Sequence, residues 1–263
     1  MADLERQVRK QQTHDWRRGG FTAEETAVPV EQAVELRLAG ETLATLHCTP
    51  DHLHELAAGF LLGQGLAGSR EEIKTIQVAA DRRVVDMELA DAAAPLGKIA
   101  ATVVYSGCGQ DAGIISPGIT GIDVSDEGQP FAAADLRLAL SQVLRRGEAY
   151  RTTRAVHSAG LCTLRGRPLC HREDVGRHNV LDKVLGWAAG QCLEPGQLFI
   201  ASSGRVSVDA VPKLVRFGIT VMVSKGVPTS WALDEADRLG LTLAGSIGPE
   251  KLRIYTHPER ISA

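Results

Sequence analysis

Residues 103–113, VVYSGCGQDAG, set one cysteine between two glycines and follow it with a carboxylate and a third glycine. A structural cysteine is ordinarily enclosed by apolar neighbours, whereas Gly107 and Gly109 strip side-chain cover from Cys108 and suit a tight, exposed turn. A thiol at the end of a strand, beside a helix N-terminus or a cation, ionises more readily and acts as a nucleophile. Spacing alone leaves two alternatives, a reactive thiol and an inert turn cysteine. The other four cysteines are plainer. Cys48, Cys162 and Cys192 lie in apolar runs and read as core residues. Cys170 adjoins His171, but no second Cys/His pair stands at zinc-ligand spacing, so no metal centre is expected.

The densest polar stretch is HREDVGRHNVLDK, residues 171–183. In a helix starting near Asp174, His178 and Asp182 lie four apart on one face, as do Asn179 and Lys183. A capped helix with a solvated face accounts for Asp174 and Lys183. It accounts less well for Arg177, His178 and Asn179 in the first turn, because cations oppose the positive end of the helix dipole. A polar cluster placed where it costs stability points to a ligand. Ser203, Gly204 and Arg205 form a second candidate: at the start of a helix they would offer backbone N–H groups and one guanidinium to an anion. His157, in RAVHSAG, is either a proton-transfer group or a hydrogen-bonded strand-end histidine, and without evident partners the second reading is the simpler.

These residues need a frame to bring them together, and the periodicity supplies one. Residues 1–27 are polar, lack periodicity and read as a mobile tail. Residues 28–97 read as a small α+β subdomain. VPVEQAVELRLAG and TLATLHC form one hairpin there, IKTIQVA and VVDMELA another, and Thr49 and Pro50 open an intervening helix that Gly63 closes. From residue 98 to 263 apolar strands alternate with helices. QLFIASSG, ITVMVSKG and LTLAGSI are separated by VSVDAVPKLVRFG and PTSWALDEADRLG, the signature of βαβ crossovers and parallel pairing. DLRLALSQVLRRG is an amphipathic helix from near Ala134, and AGLCTLRGRPLCHRED is a hairpin turning at 165–168. The fold class is α/β. In such sheets the working groups gather at the carboxyl ends of strands, which draws attention to residues 106–113, 202–205, 224–228 and the segment after Leu243.

Composition narrows the classes further. The 263 residues are 44% apolar, and 29 Lys and Arg against 32 Asp and Glu give a net charge of -3. That balance carries no nucleic-acid or membrane footprint. An odd count of five cysteines argues against a disulfide framework. The N-terminal residues lack the apolar core of a secretion signal, so a cytoplasmic protein is expected.

The motifs TLHCTPDHLHELAAGFLLGQGL, YSGCG, AVHSAGLC, REDVGRHNVLDKVLGWA, SSGRVSVDAVPKLVRFGITVMVSKGVPTS and RIYTHPER occur in order over residues 30–260. Together they resemble the formate dehydrogenase accessory sulfurtransferase (FdhD/NarQ) family. The resemblance implies a cytidine-deaminase-like layered α/β/α domain without its zinc site, an N-terminal α+β subdomain and a homodimer. It also implies transfer of persulfide sulfur from a cysteine desulfurase to molybdenum in the bis(molybdopterin guanine dinucleotide) cofactor of formate dehydrogenase or a related oxidoreductase. Cys108 matches the first cysteine of the family's Cys-x-x-Cys loop and is the implied carrier. Asp111 replaces the second, removing a resolving thiol and disfavouring the thiolate electrostatically. The family's nucleotide segment corresponds to Ser246, Ile247, Gly248, Pro249, Glu250 and Lys251, where only Lys251 is cationic. Guanine nucleotides such as GDP are the implied surrogate ligands. With Arg177, His178, Asn179, Ser203, Gly204 and Arg205, that segment completes the expected pocket. Two alternatives stand beside the carrier: a module that binds and inserts the molybdenum cofactor without handling sulfur, and a nucleobase hydrolase. The last is disfavoured because the His-x-Glu and Pro-Cys-x-x-Cys zinc constellation is missing.

Overall fold

The computed structural model describes residues 2–90, 129–248 and 251–263. The Cys108 turn, the strand expected before it and Asp111 lie outside the described residues, as do Pro249 and Glu250. Helix α1 (Ala2–Gln7) leads into β1 (Val8–Arg17) and β2 (Gly20–Pro29), which pair antiparallel along their whole lengths. This polar stretch, expected to be a tail, is therefore a ribbon. Strand pairing satisfies backbone amides without any apolar alternation, so hydrophobic periodicity gave no sign of it. The turn uses Gly19 and Gly20 at φ 117° and 144°, a region that side chains avoid.

Strands β3 (Gln32–Leu38) and β4 (Glu41–Cys48), helix α2 (Leu53–Gly63), and strands β5 (Ile73–Val78) and β6 (Val84–Leu89) form the next unit. Both expected hairpins are present, and β3 pairs parallel with β6 to give the order β4-β3-β6-β5. Leu36, Leu46, Val85 and Met87 bury the sheet's inner face against Leu53, Leu56 and Leu61 of α2. The helix starts later than its sequence suggests, after His52 in a left-handed conformation. Thr49 does not cap it. The Thr49 N–H donates to Asp174 at 3.2 Å, its hydroxyl accepts from the Val175 N–H at 3.2 Å, and its carbonyl accepts from Lys183 Nζ at 3.0 Å.

The remaining elements are β7 (Phe131–Ala132), α3 (Ala133–Arg146), α4 (Glu148–Thr153), β8 (His157–Thr163), β9 (Pro168–Asp174), α5 (Arg177–Ala189), β10 (Leu198–Ser202), α6 (Ala210–Arg216), β11 (Val221–Ser224), α7 (Ser230–Leu239), β12 (Thr242–Gly248), β13 (Lys251–Ile254) and β14 (Ile261–Ser262). Six of them form one sheet in the order β13-β12-β11-β10-β8-β9. The pairs β10–β11 and β11–β12 are parallel, as the strand–helix alternation requires, and the flanking pairs are antiparallel. Leu136, Ala139, Leu140 and Val143 of α3 pack on one face with Phe199, Val221 and Val223. Residues of α5, α6 and α7, among them Val184, Leu185, Val211, Leu214 and Ala236, cover the other with Leu161, Ile200 and Met222. The architecture is α/β, with helices on both faces of a mixed sheet. No described helix is long and apolar enough to cross a membrane.

Helices α2 and α5 join the two units at backbone contact. A Cβ on Gly59 would lie 1.9 Å from the Asp182 carbonyl oxygen, and one on Gly186 would lie 1.9 Å from that of Glu55. Nor does α5 present the expected solvated face. It starts at Arg177 rather than near Asp174, and its Lys183 and Asp182 are buried. Lys183 Nζ pairs with Asp174 at 2.7 Å and with Asp51, while Asp182 pairs with Lys213 at 2.7 Å. The charges survive inside because each has an opposite partner and hydrogen bonds. Cys192, expected in the core, is exposed, because it falls in the connection after α5 rather than in a strand.

Candidate functional site

The mixed sheet places every described segment singled out above along one edge. Because β8 runs antiparallel to the central strands and β9 runs antiparallel to β8, His157 at the start of β8 and Asp174 at the end of β9 lie at the edge where β10, β11 and β12 finish. In strand order the edge carries residues 174–178, His157, residues 202–205 and residues 224–228, then Gly248 and Lys251. Five separate stretches of sequence thus supply one site.

Its centre is the loop after β10. The Ser203 N–H donates to the Ser158 carbonyl at 2.8 Å, and the Ser158 N–H donates to Ser203 Oγ at 2.9 Å. That exchange fixes the Ser203 hydroxyl 3.4 Å from His157 Nδ1. Gly204 sits against the start of α5: a Cβ there would lie 3.1 Å from Arg177 Cβ and 3.7 Å from His157 Nδ1. The loop after β11 runs alongside. The Ser224 hydroxyl is shared between the carbonyls of Ser202 at 3.0 Å and Gly204 at 2.5 Å, and the Lys225 N–H donates to Ser202 at 2.9 Å. Gly226 is required at the crossing, where a Cβ would meet the Gly204 carbonyl oxygen at 2.4 Å. The two loops are locked together, and Arg205 and Lys225 are exposed on them.

Electrostatics sharpen the site. Burial, and then the charges of Arg177 and His178, push the His157 imidazole below its usual range, so it is neutral near pH 7. A neutral imidazole can exchange a proton with a neighbouring hydroxyl or ligand. His178 Nε2 lies 3.0 Å from Asp209 Oδ2 and 2.9 Å from Ser207 Oγ. Burial pushes the Asp209 carboxyl up, but the hydrogen bond and charge of His178 outweigh it and hold the group well below the ordinary carboxylate range. This pair orients the first turn of α5 against the loop leading into α6. Asn179 faces inward instead: its amide donates to the His47 carbonyl at 2.8 Å and to Asp174 at 3.1 Å. It ties the site to the N-terminal unit.

Sequence reasoning missed Ser207 and Asp209, which lie outside any polar cluster, missed Lys213, and placed Lys183 on a solvated face although it is buried. A signal existed for the lysines. Lys183 and Lys213 each interrupt an apolar run inside a helix, in NVLDKVLGWA and AVPKLVRFG. Such a position cannot be solvated without exposing its neighbours.

The fold and this edge define a class: α/β proteins that gather loop amides, hydroxyls and cations at the carboxyl ends of a parallel strand set. A family model narrows it further, matching residues 29–262 to the FdhD/NarQ family. The chain belongs to that family. It is 35% identical over 236 residues to the sulfur carrier protein FdhD of Shouchella clausii, covering 88% of each chain, and 34% identical over 256 residues to that of Agrobacterium fabrum, covering 93% of each. A solved structure described as a formate dehydrogenase accessory protein from Desulfotalea psychrophila superposes with a TM-score of 0.77 at 26% identity, over 97% of this chain and all of that one.

Proposed function

We propose that the protein is a cytoplasmic sulfur carrier that accepts sulfur from a cysteine desulfurase on Cys108 and delivers it to the molybdenum of a bis(molybdopterin guanine dinucleotide) substrate destined for formate dehydrogenase or a related oxidoreductase. The observation that carries the reading is the convergence of separate segments on one cationic strand edge, in a chain whose relatives are named sulfur carriers. Arg177, His178, Ser203, Gly204, Arg205 and the 246–251 segment bind the nucleotide portion, for which GDP is the surrogate, and Asn179 positions them. The layering is cytidine-deaminase-like over residues 98–263, with residues 28–97 as the accessory subdomain, and the active form is a homodimer.

Three of the four described cysteines are poor alternatives to Cys108. Cys48, Cys162 and Cys170 are buried, and burial drives the Cys162 and Cys170 thiols up to about 12, while the exposed Cys192 lies in the connection after α5, outside the strand edge that carries the site. A thiol protonated at physiological pH is a weak nucleophile. In the transfer, the Cys108 thiolate attacks the outer sulfur of the donor persulfide. A new S–S bond forms, the donor's S–S bond breaks, and the donor cysteine leaves as a thiolate with no net oxidation.

Incubation with a cysteine desulfurase and cysteine should add one sulfur to the wild-type protein by intact mass, and none to Cys108→Ala. An adduct of equal yield on both proteins, or none on either, would overturn the assignment. If Cys108→Ala still supported formate dehydrogenase activity in cells, the protein would be a cofactor-binding module rather than a carrier. Arg205→Ala should weaken GDP binding about tenfold, the usual loss for one charge-assisted contact.

A further inference from the structure

Two large apolar side chains lie exposed beside the cationic loops. Val227 is 61% and Trp231 59% exposed. Their position is fixed by the pairing of the two loops. The Thr229 N–H donates to the Val206 carbonyl at 3.0 Å, and the Thr229 hydroxyl caps α7 by accepting from the Ala232 N–H at 3.2 Å. Trp231 stands two residues beyond Thr229, so their Cα atoms are at most ~8 Å apart, at about 3.8 Å per residue. Arg205 immediately precedes Val206, and Lys225 precedes Gly226, which abuts the Arg205 backbone. Ala232, Ala236 and Leu239 take the inward face of α7. Adjacent helical residues do not share a face, so Trp231 is left outside the core. Exposed Trp231, Arg205 and Lys225 are therefore carried on backbone segments that lie next to one another at this edge.

We propose that Trp231, flanked by Val227, is the platform on which the planar base of a purine nucleotide stacks while Arg205 and Lys225 hold its phosphates. This rests on the nucleotide-binding reading of the same edge and adds the residue that selects a ring over a bare anion. The pairing of a flat apolar surface with neighbouring cations is what a nucleotide requires, since its base is apolar on both faces and its phosphates are charged. A protein partner is the weaker occupant: two apolar side chains next to exposed charge make a patch far below the size of a stable interface.

The test measures GDP and inorganic pyrophosphate binding to the full chain by calorimetry, with tryptophan emission recorded alongside. The variants are Trp231→Ala, Trp231→Phe and Arg205→Ala, each checked for folding by circular dichroism. GDP should quench wild-type emission, and the quench should vanish in Trp231→Ala. Its GDP affinity should fall about tenfold, within the range for loss of one base–aromatic stack, while Trp231→Phe stays within about threefold because its ring still stacks. Pyrophosphate affinity should be unchanged in both Trp231 variants and fall in Arg205→Ala. Equal GDP affinity in wild type and Trp231→Ala would overturn the platform while leaving the anion site intact. A parallel loss of pyrophosphate binding in Trp231→Ala would make the indole a structural residue. Normal nucleotide binding with lost association to the oxidoreductase would make it a protein contact. No binding of either probe to the wild-type chain would remove the site itself.

Discussion

Replacing Lys183 with methionine tests how the two units are held together. Lys183 is fully buried, pairs with Asp51 and Asp174, and donates to the carbonyls of Thr49 at 3.0 Å and Glu173 at 3.3 Å. Methionine keeps the volume but leaves two buried carboxylates facing each other without a cation. Removing one partner of a buried pair costs about 3–5 kcal/mol. At roughly 2–3 °C per kcal/mol for a chain of this size, the unfolding midpoint should fall by about 6–15 °C. The loss should also depend on pH in a definite direction. Burial already pushes the Asp174 carboxyl above its ordinary range, against the pull of Lys183. Without the lysine it rises further. A group whose folded pKa exceeds its unfolded value favours the folded state as pH falls, so the deficit should shrink between pH 8 and pH 5. The triple variant Asp51→Asn, Lys183→Met, Asp174→Asn should regain at least half of the loss. Calorimetric melting of the three proteins at both pH values decides the matter. A single variant losing less than about 1 kcal/mol, or a triple variant no better than the single one, would show that this network does not join the units.

Other consequences follow from the same geometry. Gly59→Ala drives a methyl into the Asp182 backbone carbonyl at 1.9 Å, where neither helix can yield cheaply, so the urea midpoint should drop by the equivalent of about 3 kcal/mol or more. Asp209 has its carboxyl held down by His178 despite burial, so its stabilisation is present above the unfolded carboxylate range and lost as pH falls through and below it. Asp209→Asn should therefore lower stability at pH 7 by about 1–3 kcal/mol and flatten the acid limb of the stability curve below about pH 4, measured by urea titration across pH. Thiol labelling of the native protein should modify Cys192 quickly, whereas Cys48, Cys162 and Cys170 should react only after denaturation; peptide mapping of the adducts reads both outcomes.

Much of the fold is legible in the sequence because it is written in short-range periodicity. The hairpins β3–β4 and β5–β6, the amphipathic α3 and the β10–α6–β11–α7–β12 alternation all follow from apolar spacing within about ten residues. The N-terminal ribbon does not, because a pair of exposed strands is specified by backbone pairing and leaves no apolar alternation to read. The start of α2 escapes for a different reason. Thr49 and Pro50 look like a helix opening, yet Thr49 is drawn instead to Asp174, Val175 and Lys183, residues more than a hundred positions away.

Residue types at the site are readable along the chain: a cluster at 177–179, a Ser-Gly-Arg turn at 203–205, and the motifs that place the chain in its family. Which of them share an edge and which turn inward is set by folding. Strand order brings His157, Arg177, Ser203 and Gly204 into contact range, while packing of α5 against α2 takes Asn179 and Lys183 out of solvent. The physical reason is one of range. Helix and strand periodicity act between neighbours along the chain, but the choice between a solvated and a buried charge depends on partners that only folding delivers.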